Sequence, residues 1–124
     1  MKSFRTERIG EQVRKEMSDL LLRGLKDSRI HAGMVSITEV EVTGDLRHCT
    51  IYVSIYGDSQ AQIAAMAGLN SAAGFVRGEL GRRIRLRYTP EVHFEQDTSL
   101  ERGDRMMTLL NQLKKDPPLE EPAP

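Results

Sequence analysis

The 124-residue chain has one cysteine, no long apolar run and no excess of either charge. Because Cys49 has no second cysteine to pair with, an internal disulfide is excluded, and the composition is typical of a reducing compartment such as the cytoplasm. No stretch approaches the ~20 apolar residues that a membrane-spanning helix needs. The first residues lead directly into charged helical sequence, so no secretory signal is expected. A hydrophobic content of 39% and a charged content of 29% predict a soluble globular protein.

Motifs that carry catalysis are also missing. The chain has no phosphate-binding P-loop and no dinucleotide fingerprint. His31, His48 and His93 fall in different predicted elements without metal-ligand spacing, and Cys49 falls on the buried face of a predicted strand. The sequence therefore predicts no enzyme, no cofactor and no metal site. Gly78–Gly81 spells the GxxG of many KH domains, but it lies inside a predicted helix and includes an acid, so we interpret it as coincidence.

Charge is distributed unevenly along the chain. Residues 1–70 carry nine basic and nine acidic groups, residues 71–90 carry five and one, and residues 91–124 carry four and eight. The middle segment is therefore positive by four charges although the whole chain is neutral. A local positive field can attract a phosphate backbone regardless of total charge, whereas the simpler alternative is a solvated charged face.

Hydrophobic periodicity predicts an α+β chain. The predicted order is a helix (6–25), a hairpin of two strands (34–42 and 47–56), helical sequence (60–85), a third strand (91–95) and a last helix beginning near Thr98. The first strand changes the parity of its apolar residues, which predicts a β-bulge near Thr38 and Glu39. Asp58 or Ser59 is expected to cap the second helical segment. Residues 1–115 should form one domain and residues 116–124 a disordered acidic, proline-rich tail.

The helical segment 60–85 contains the residues of greatest interest. Gly74 lies in the middle of the helical pattern, where glycine costs about 1 kcal/mol relative to alanine. We therefore predict a bend in which two helices meet closely, helped by the small side chains of Ala72 and Ala73. The arginines that follow this bend are predicted to project outward as an RNA-binding group: Arg77, Arg82, Arg83, Arg85 and Arg87. Alternation of arginines with Ile84 and Leu86 leaves open whether the last part is helical or extended.

The chain at this point resembles a known family. Ala72–Gly74 resembles the Ala-x-Gly kink that replaces the glycine loop of a type II KH domain, and residues 81–94, GRRIRLRYTPEVHF, resemble a signature segment of bacterial ribosome-binding factor A. Residues 5–9, 50–54 and 97–99 also fit that family, and the resemblance covers about residues 4–114. It implies a type II KH-like domain, α-β-β-α-kink-α-β, with helices on one face of a three-stranded sheet and an additional C-terminal helix.

The resemblance also implies a function. Members of this family bind free or immature 30S subunits, contact 16S rRNA near its 5′-terminal helix, and support late 30S maturation, rRNA processing and cold adaptation. On this chain the implied RNA-facing set adds the kink residues Ala72, Ala73 and Gly74 to the five arginines. The expected protein is a cytoplasmic monomer without catalytic activity, and whether an assembly GTPase is a further partner stays open.

Two alternatives remain at the level of sequence. The first is a protein-interaction module that uses Leu22, Tyr52, Tyr56 and the last helix and makes no direct RNA contact. The second is an RNA-processing hydrolase that uses Asp97, Glu101 and Asp104 to hold a cation, although helix capping explains acids at these positions more simply.

Overall fold

The computed structural model describes residues 4–23, 25–31 and 34–98. The elements are α1 (Phe4–Arg23), β1 (Val35–Val42), β2 (His48–Ile55), α2 (Ser59–Ile84) and β3 (Glu91–Gln96). The predicted last helix and the predicted disordered tail lie outside the described residues, as do Glu101 and Asp104. No helix within the described part of the chain is long and apolar enough to cross a membrane.

The three strands form one sheet in the order β1-β2-β3, with β1 antiparallel and β3 parallel to the central strand. The predicted bulge is confirmed, because the β1–β2 register shifts between Ile37 and Glu39. The extra residue, Thr38, donates a hydrogen bond from its Oγ1 to Asp97 Oδ2 over 2.7 Å. The bulge therefore joins the first strand to the chain that leaves the third.

Both helices cover the same face of the sheet. Cys49, Ile51, Val53 and Ile55 alternate along β2 and are all buried, as the period-two pattern predicts. Helix α1 packs on β1 and α2 packs on β3. The core between these layers contains apolar side chains of every element, including Val13, Met17, Leu69, Val76, Leu80, Val92 and Phe94. The predicted α+β architecture, with helices on one face of a three-stranded sheet, is confirmed.

Helix α2 is one continuous element of 26 residues. Asp58 caps it, since its Oδ1 accepts a hydrogen bond of 2.8 Å from the backbone N–H of Ala61. The prediction that two helices meet at Gly74 is therefore wrong at the level of secondary structure. The predicted close approach at Gly74 is also wrong, because a Cβ added there would meet nothing within 4 Å.

Close approaches occur at two other glycines of α2. A Cβ at Gly68 would lie 3.0 Å from Ile30 Cγ1, in the loop after α1. A Cβ at Gly81 would lie 2.5 Å from Thr89 Oγ1, in the loop after α2. Glycine at these positions allows both loops to pack directly on the helix backbone.

Alanine substitutions at Gly74 and Gly68 should change stability in opposite directions. Gly74→Ala replaces an exposed helical glycine without a new contact, so the free energy of unfolding should rise by about 0.5–1 kcal/mol. Gly68→Ala gains the same helix propensity but crowds Ile30, and overpacking typically costs about 1–3 kcal/mol. We expect a net loss for Gly68→Ala in urea unfolding monitored by circular dichroism. Equal gains in both variants would contradict the close packing at Gly68.

In the loop after α1, Asp27 forms a hydrogen-bonded ion pair with Arg29. Asp27 accepts hydrogen bonds from Arg29 Nε at 2.9 Å, Arg29 Nη2 at 2.6 Å and the Arg29 backbone N–H at 2.9 Å. The side-chain hydrogen bonds of Arg29, followed by its backbone N–H, lower the pKa of Asp27 to about 2. The folded protein therefore holds the ionised form more strongly than the unfolded chain does.

This pair should make stability fall in acid. An unfolded aspartate has a pKa of about 3.9, so between this value and about 2 the unfolded chain binds more protons at Asp27. The stabilisation from Asp27 is then complete above about pH 4 and is lost as the pH falls through about 2. Asp27→Asn should flatten the decrease in unfolding free energy over that window. A decrease identical to that of the wild-type protein would show that the pair contributes nothing.

Candidate nucleic-acid interface

The loop from Arg85 to Pro90 folds back along the C-terminal end of α2. Arg85 ends the helix in a left-handed conformation, φ 59° and ψ 47°, and its backbone N–H donates to the Gly81 carbonyl over 3.1 Å. Since Gly81 has no side chain, Thr89 can lie directly against the helix. Pro90 is buried and precedes β3. The end of the helix and the start of the strand therefore hold this loop in place.

Three exposed arginines lie in this loop or beside it. Arg77 Nη2 donates to the Thr89 carbonyl over 3.2 Å, and the Arg87 guanidinium lies 5.5 Å from the centroid of the Tyr88 ring. Arg85 is exposed at the turn. Within residues 4–23, 25–31 and 34–98, none of the three makes an ion pair with a carboxylate. We call Arg77, Arg85 and Arg87 the arginine group.

Arg77 also faces a cleft of about 590 Å³ between α2 and the strands. The lining residues are Asp45, Leu46, Arg47, His48, Arg77, Tyr88, Thr89 and Glu91. We call this space the arginine cleft. It combines guanidinium groups with one exposed aromatic ring, and these are the groups that bind phosphates and stack on unpaired bases.

The two acids of the cleft, Asp45 and Glu91, both have partners within the protein. Asp45 Oδ1 accepts hydrogen bonds from Thr43 Oγ1 at 2.7 Å and from the Arg47 backbone N–H at 3.0 Å. These bonds, the one from Thr43 first, lower the pKa of Asp45. Its charge is thus partly compensated within the hairpin turn, and the carboxylate of Glu91, at the start of β3, lies 3.5 Å from His93 Nε2.

Arg83 does not belong to the arginine group, because carboxylates of the protein hold it. Its Nη1 lies 2.8 Å from Asp19 Oδ2 and 3.2 Å from Glu16 Oε1, and its Nε lies 3.5 Å from Glu79 Oε1. Hydrogen bonding to Asp19 raises the pKa of Arg83 and, in return, lowers the pKa of Asp19. Arg83 is exposed but joins α2 to α1 through these ion pairs, so it is not free to bind RNA as predicted for all five arginines.

Arg82 is intermediate between the arginine group, which has no carboxylate partner among the described residues, and Arg83, which has three. Its guanidinium pairs with Glu79 one turn earlier in α2, but the Arg82 side chain keeps 73% of its surface exposed. An exposed pair of this kind is weak and can exchange for a phosphate. Arg82 therefore remains available to a polyanion, with Glu79 as a competing partner.

The three predicted kink residues, Ala72, Ala73 and Gly74, differ in how exposed they are. Ala72 and Ala73 are half-buried and pack against the core, and Ala72 also lines an apolar groove with Leu25 and Phe75. Gly74 is exposed and precedes Arg77 by one helical turn, so it shares a side of α2 with Arg77. Ala73 precedes Arg77 by four positions and lies on that side as well, so of these three residues only Gly74 is both exposed and on the Arg77 side of the helix.

Sequence reasoning missed Arg47, His48 and Tyr88 as parts of the cleft. Arg47 and Arg77 are 30 positions apart, and the parallel register that pairs His48 with Glu91 brings the two regions together.

The prediction that the histidines share no ligand spacing is also wrong for two of them. His48 Nδ1 lies 3.3 Å from His93 Nε2 across neighbouring strands.

The face of the sheet that the helices leave uncovered is acidic. Four exposed glutamates lie on β1 and β3: Glu39, Glu41, Glu91 and Glu95. Glu41 accepts a hydrogen bond of 3.0 Å from the Tyr52 hydroxyl, which raises the pKa of Tyr52. A phosphate backbone would be repelled along this face, so nucleic acid is favoured on the arginine side of the molecule.

Cys49 has the environment that the strand pattern predicts. The side chain is fully buried on β2, and burial raises the pKa of its thiol to about 12. A thiol in this state is a poor nucleophile, because the reactive form is the thiolate.

Comparison with known proteins gives the same family by a sequence model and by a similar relative. A sequence model described as Ribosome-binding factor A matches residues 5–110. Ribosome-binding factor A of Rippkaea orientalis is 57% identical over 119 residues, covering 96% of this chain and 93% of the relative.

Solved structures agree in fold. A Thermotoga maritima protein, described as a candidate ribosome binding factor A, aligns with a TM-score of 0.67 at 27% identity, covering 80% of this chain and 92% of its own. A Thermus thermophilus ribosome binding factor A, fitted into a cryo-EM map of a 30S complex, aligns with a TM-score of 0.57 at 19% identity, covering 79% and 97%.

Proposed function

Since this chain belongs to the ribosome-binding factor A family, we propose that it binds the small ribosomal subunit by placing its arginine group against 16S rRNA. The observation that carries this assignment is the difference among its arginines. Arg83 is held by three carboxylates of the protein, whereas Arg77, Arg85 and Arg87 are exposed around one ordered loop without a carboxylate partner in the described part of the chain. Unpaired guanidinium groups on a fixed loop suit phosphate binding.

Each member of the interface has a distinct role. Arg85 and Arg87 bind phosphates from the exposed loop, and Arg77 binds at the edge of the arginine cleft while its bond to the Thr89 carbonyl fixes the guanidinium. Tyr88 is 73% exposed and offers a ring on which an unpaired base can stack. Recognition of this kind reads the shape and charge of folded RNA.

The finer parts of the proposal rest on the family alone. They are binding of free or immature 30S particles near the 5′-terminal helix of 16S rRNA, and assistance to late maturation and rRNA processing in the cytoplasm. The Thermus relative fitted into a 30S complex supports the small subunit as the partner. The protein acts here as a binding protein, with no catalytic step assigned to it.

Sedimentation with purified ribosomal subunits tests the proposal. The full chain should co-sediment with 30S particles and should be left in the supernatant with 50S particles at the same concentration and ionic strength. Competition by isolated 16S rRNA is expected, because the contacts are to RNA. Equal sedimentation with both subunits would indicate nonspecific attraction to RNA and would contradict the proposed function.

A protein-interaction role is the second candidate. The groove beside Ala72 is lined by Leu25, Lys26, Asp27, Ser71, Ala72 and Phe75, and 53% of the Phe75 surface is exposed. Such a surface favours association that persists at high salt and is lost in Phe75→Ser. Subunit binding with those two properties would replace the RNA-contact proposal.

A further inference from the structure

The uncovered face of the sheet brings together three side chains that ligate metals. In the parallel register of β2 and β3, His48 pairs with Glu91 and Thr50 pairs with His93. Because side chains alternate along a strand, His48, Glu91 and His93 all point away from the helices. All three are exposed, so a metal ion can reach them without any opening of the fold.

The spacing of their ligand atoms is close to that of a coordination sphere. His48 Nδ1 and His93 Nε2 are 3.3 Å apart, and His93 Nε2 and Glu91 Oε1 are 3.5 Å apart. In a tetrahedral site with bonds of about 2.0–2.1 Å, neighbouring ligand atoms are separated by about 3.3 Å. The three ligand atoms all lie within 4.8 Å of one another, so a small rotation of one exposed side chain completes the set.

The strands hold this arrangement in place before any ion binds. Both carry backbone hydrogen bonds of the parallel ladder, and the Glu91 backbone N–H donates to the Arg47 carbonyl over 2.8 Å. The imidazole nitrogens of His48 and His93 face each other, and their ring centroids are 5.5 Å apart. Two facing imidazoles share one proton at most, whereas a metal ion can accept a lone pair from both.

We propose that His48, Glu91 and His93 form a binding site for a divalent transition-metal ion of the Zn²⁺ class. Two imidazoles and one carboxylate suit Zn²⁺, Co²⁺ or Ni²⁺, whereas Mg²⁺ and Ca²⁺ prefer sites made of oxygen ligands. Water fills the remaining position, since the site is open to solvent. The exposed carboxylates of Glu39, Glu41 and Glu95 on the same face favour a cation further. Two of these ligands, His48 and Glu91, also line the arginine cleft, so the site is tested on the chain without RNA.

Calorimetric titration of the metal-free full chain with ZnCl₂ at pH 7.5 tests the site. One ion should bind per chain, and His48→Ala and His93→Ala should each weaken binding at least tenfold. Glu91→Gln should weaken zinc binding less than the histidine variants, because the amide oxygen of glutamine can still bind the ion, although more weakly than the carboxylate. His31→Ala is the matched control, since His31 is also exposed but lies in the loop before β1, and its affinity should equal that of the wild-type chain.

A second readout identifies the ligand geometry. Titration with CoCl₂ should give the intense visible absorption of four-coordinate Co²⁺ in the wild-type chain and in His31→Ala, and the absorption should be lost in His48→Ala. The three ligands are exposed, so their variants should melt at the wild-type temperature. Absence of Zn²⁺ binding at about 100 μM, or equal weakening by His31→Ala and His48→Ala, would overturn the proposal.

Discussion

Reversal of two charges in the arginine group, Arg77→Glu with Arg87→Glu, should weaken binding to the small subunit about a hundredfold. Each arginine is proposed to make a charge-assisted contact with phosphate, and each glutamate adds repulsion in its place. A loss of about tenfold per position corresponds to about 1.4 kcal/mol, which lies within the usual range for such contacts. Binding measured by sedimentation at fixed ionic strength checks the value.

The matched control for this variant is Arg8→Glu with Lys15→Glu. Both residues are exposed on α1, and the pair changes the net charge by the same four units. The control should keep nearly wild-type affinity if position decides binding. Equal loss in both double variants would mean that the subunit responds to net charge, and the arginine group would then have no special role.

Met17→Ala should produce the largest change in stability. Met17 lies on α1, has no exposed surface and belongs to the core that joins the two helices to the sheet. Truncation of a buried methionine removes apolar contacts and leaves a cavity, which typically costs about 2–5 kcal/mol. Urea unfolding should show this loss as a lower midpoint with an unchanged slope.

Leu22→Ala is the control on the same helix. Leu22 keeps 72% of its surface exposed, so its truncation should change the free energy of unfolding by no more than about 0.5 kcal/mol. Similar losses in Met17→Ala and Leu22→Ala would show that α1 packs on the sheet through a different face.

The elements that the sequence predicts well are those in which one face of a strand or helix is buried. Alternation along β2 identified the buried set that includes Cys49 and Ile51, and the parity change in β1 located the bulge at Thr38. Both patterns follow from local geometry, because the side chains of a strand alternate with a period of two. The cap at Asp58 has the same local origin.

The features that the sequence could not predict depend on contacts between distant segments. A glycine in a helical pattern indicates that a side chain is absent, but not whether another segment approaches it. Gly74 faces open space, whereas Gly68 and Gly81 contact loops. The capture of Arg83 by Asp19, 64 positions earlier, likewise depends on how α1 crosses α2. The count of five arginines therefore overestimated the number available for RNA.

The most direct test of the central claim is the salt dependence of binding to the small subunit. About three phosphate contacts by the arginine group predict a slope near −2 to −3 in a plot of log affinity against log salt concentration. Arg77→Glu with Arg87→Glu should reduce the magnitude of that slope by about two, whereas Arg83→Gln should leave the slope unchanged, because this arginine is held by Glu16, Asp19 and Glu79. A wild-type slope near zero with intact binding, or an equal loss of slope in the Arg83 variant, would contradict the account.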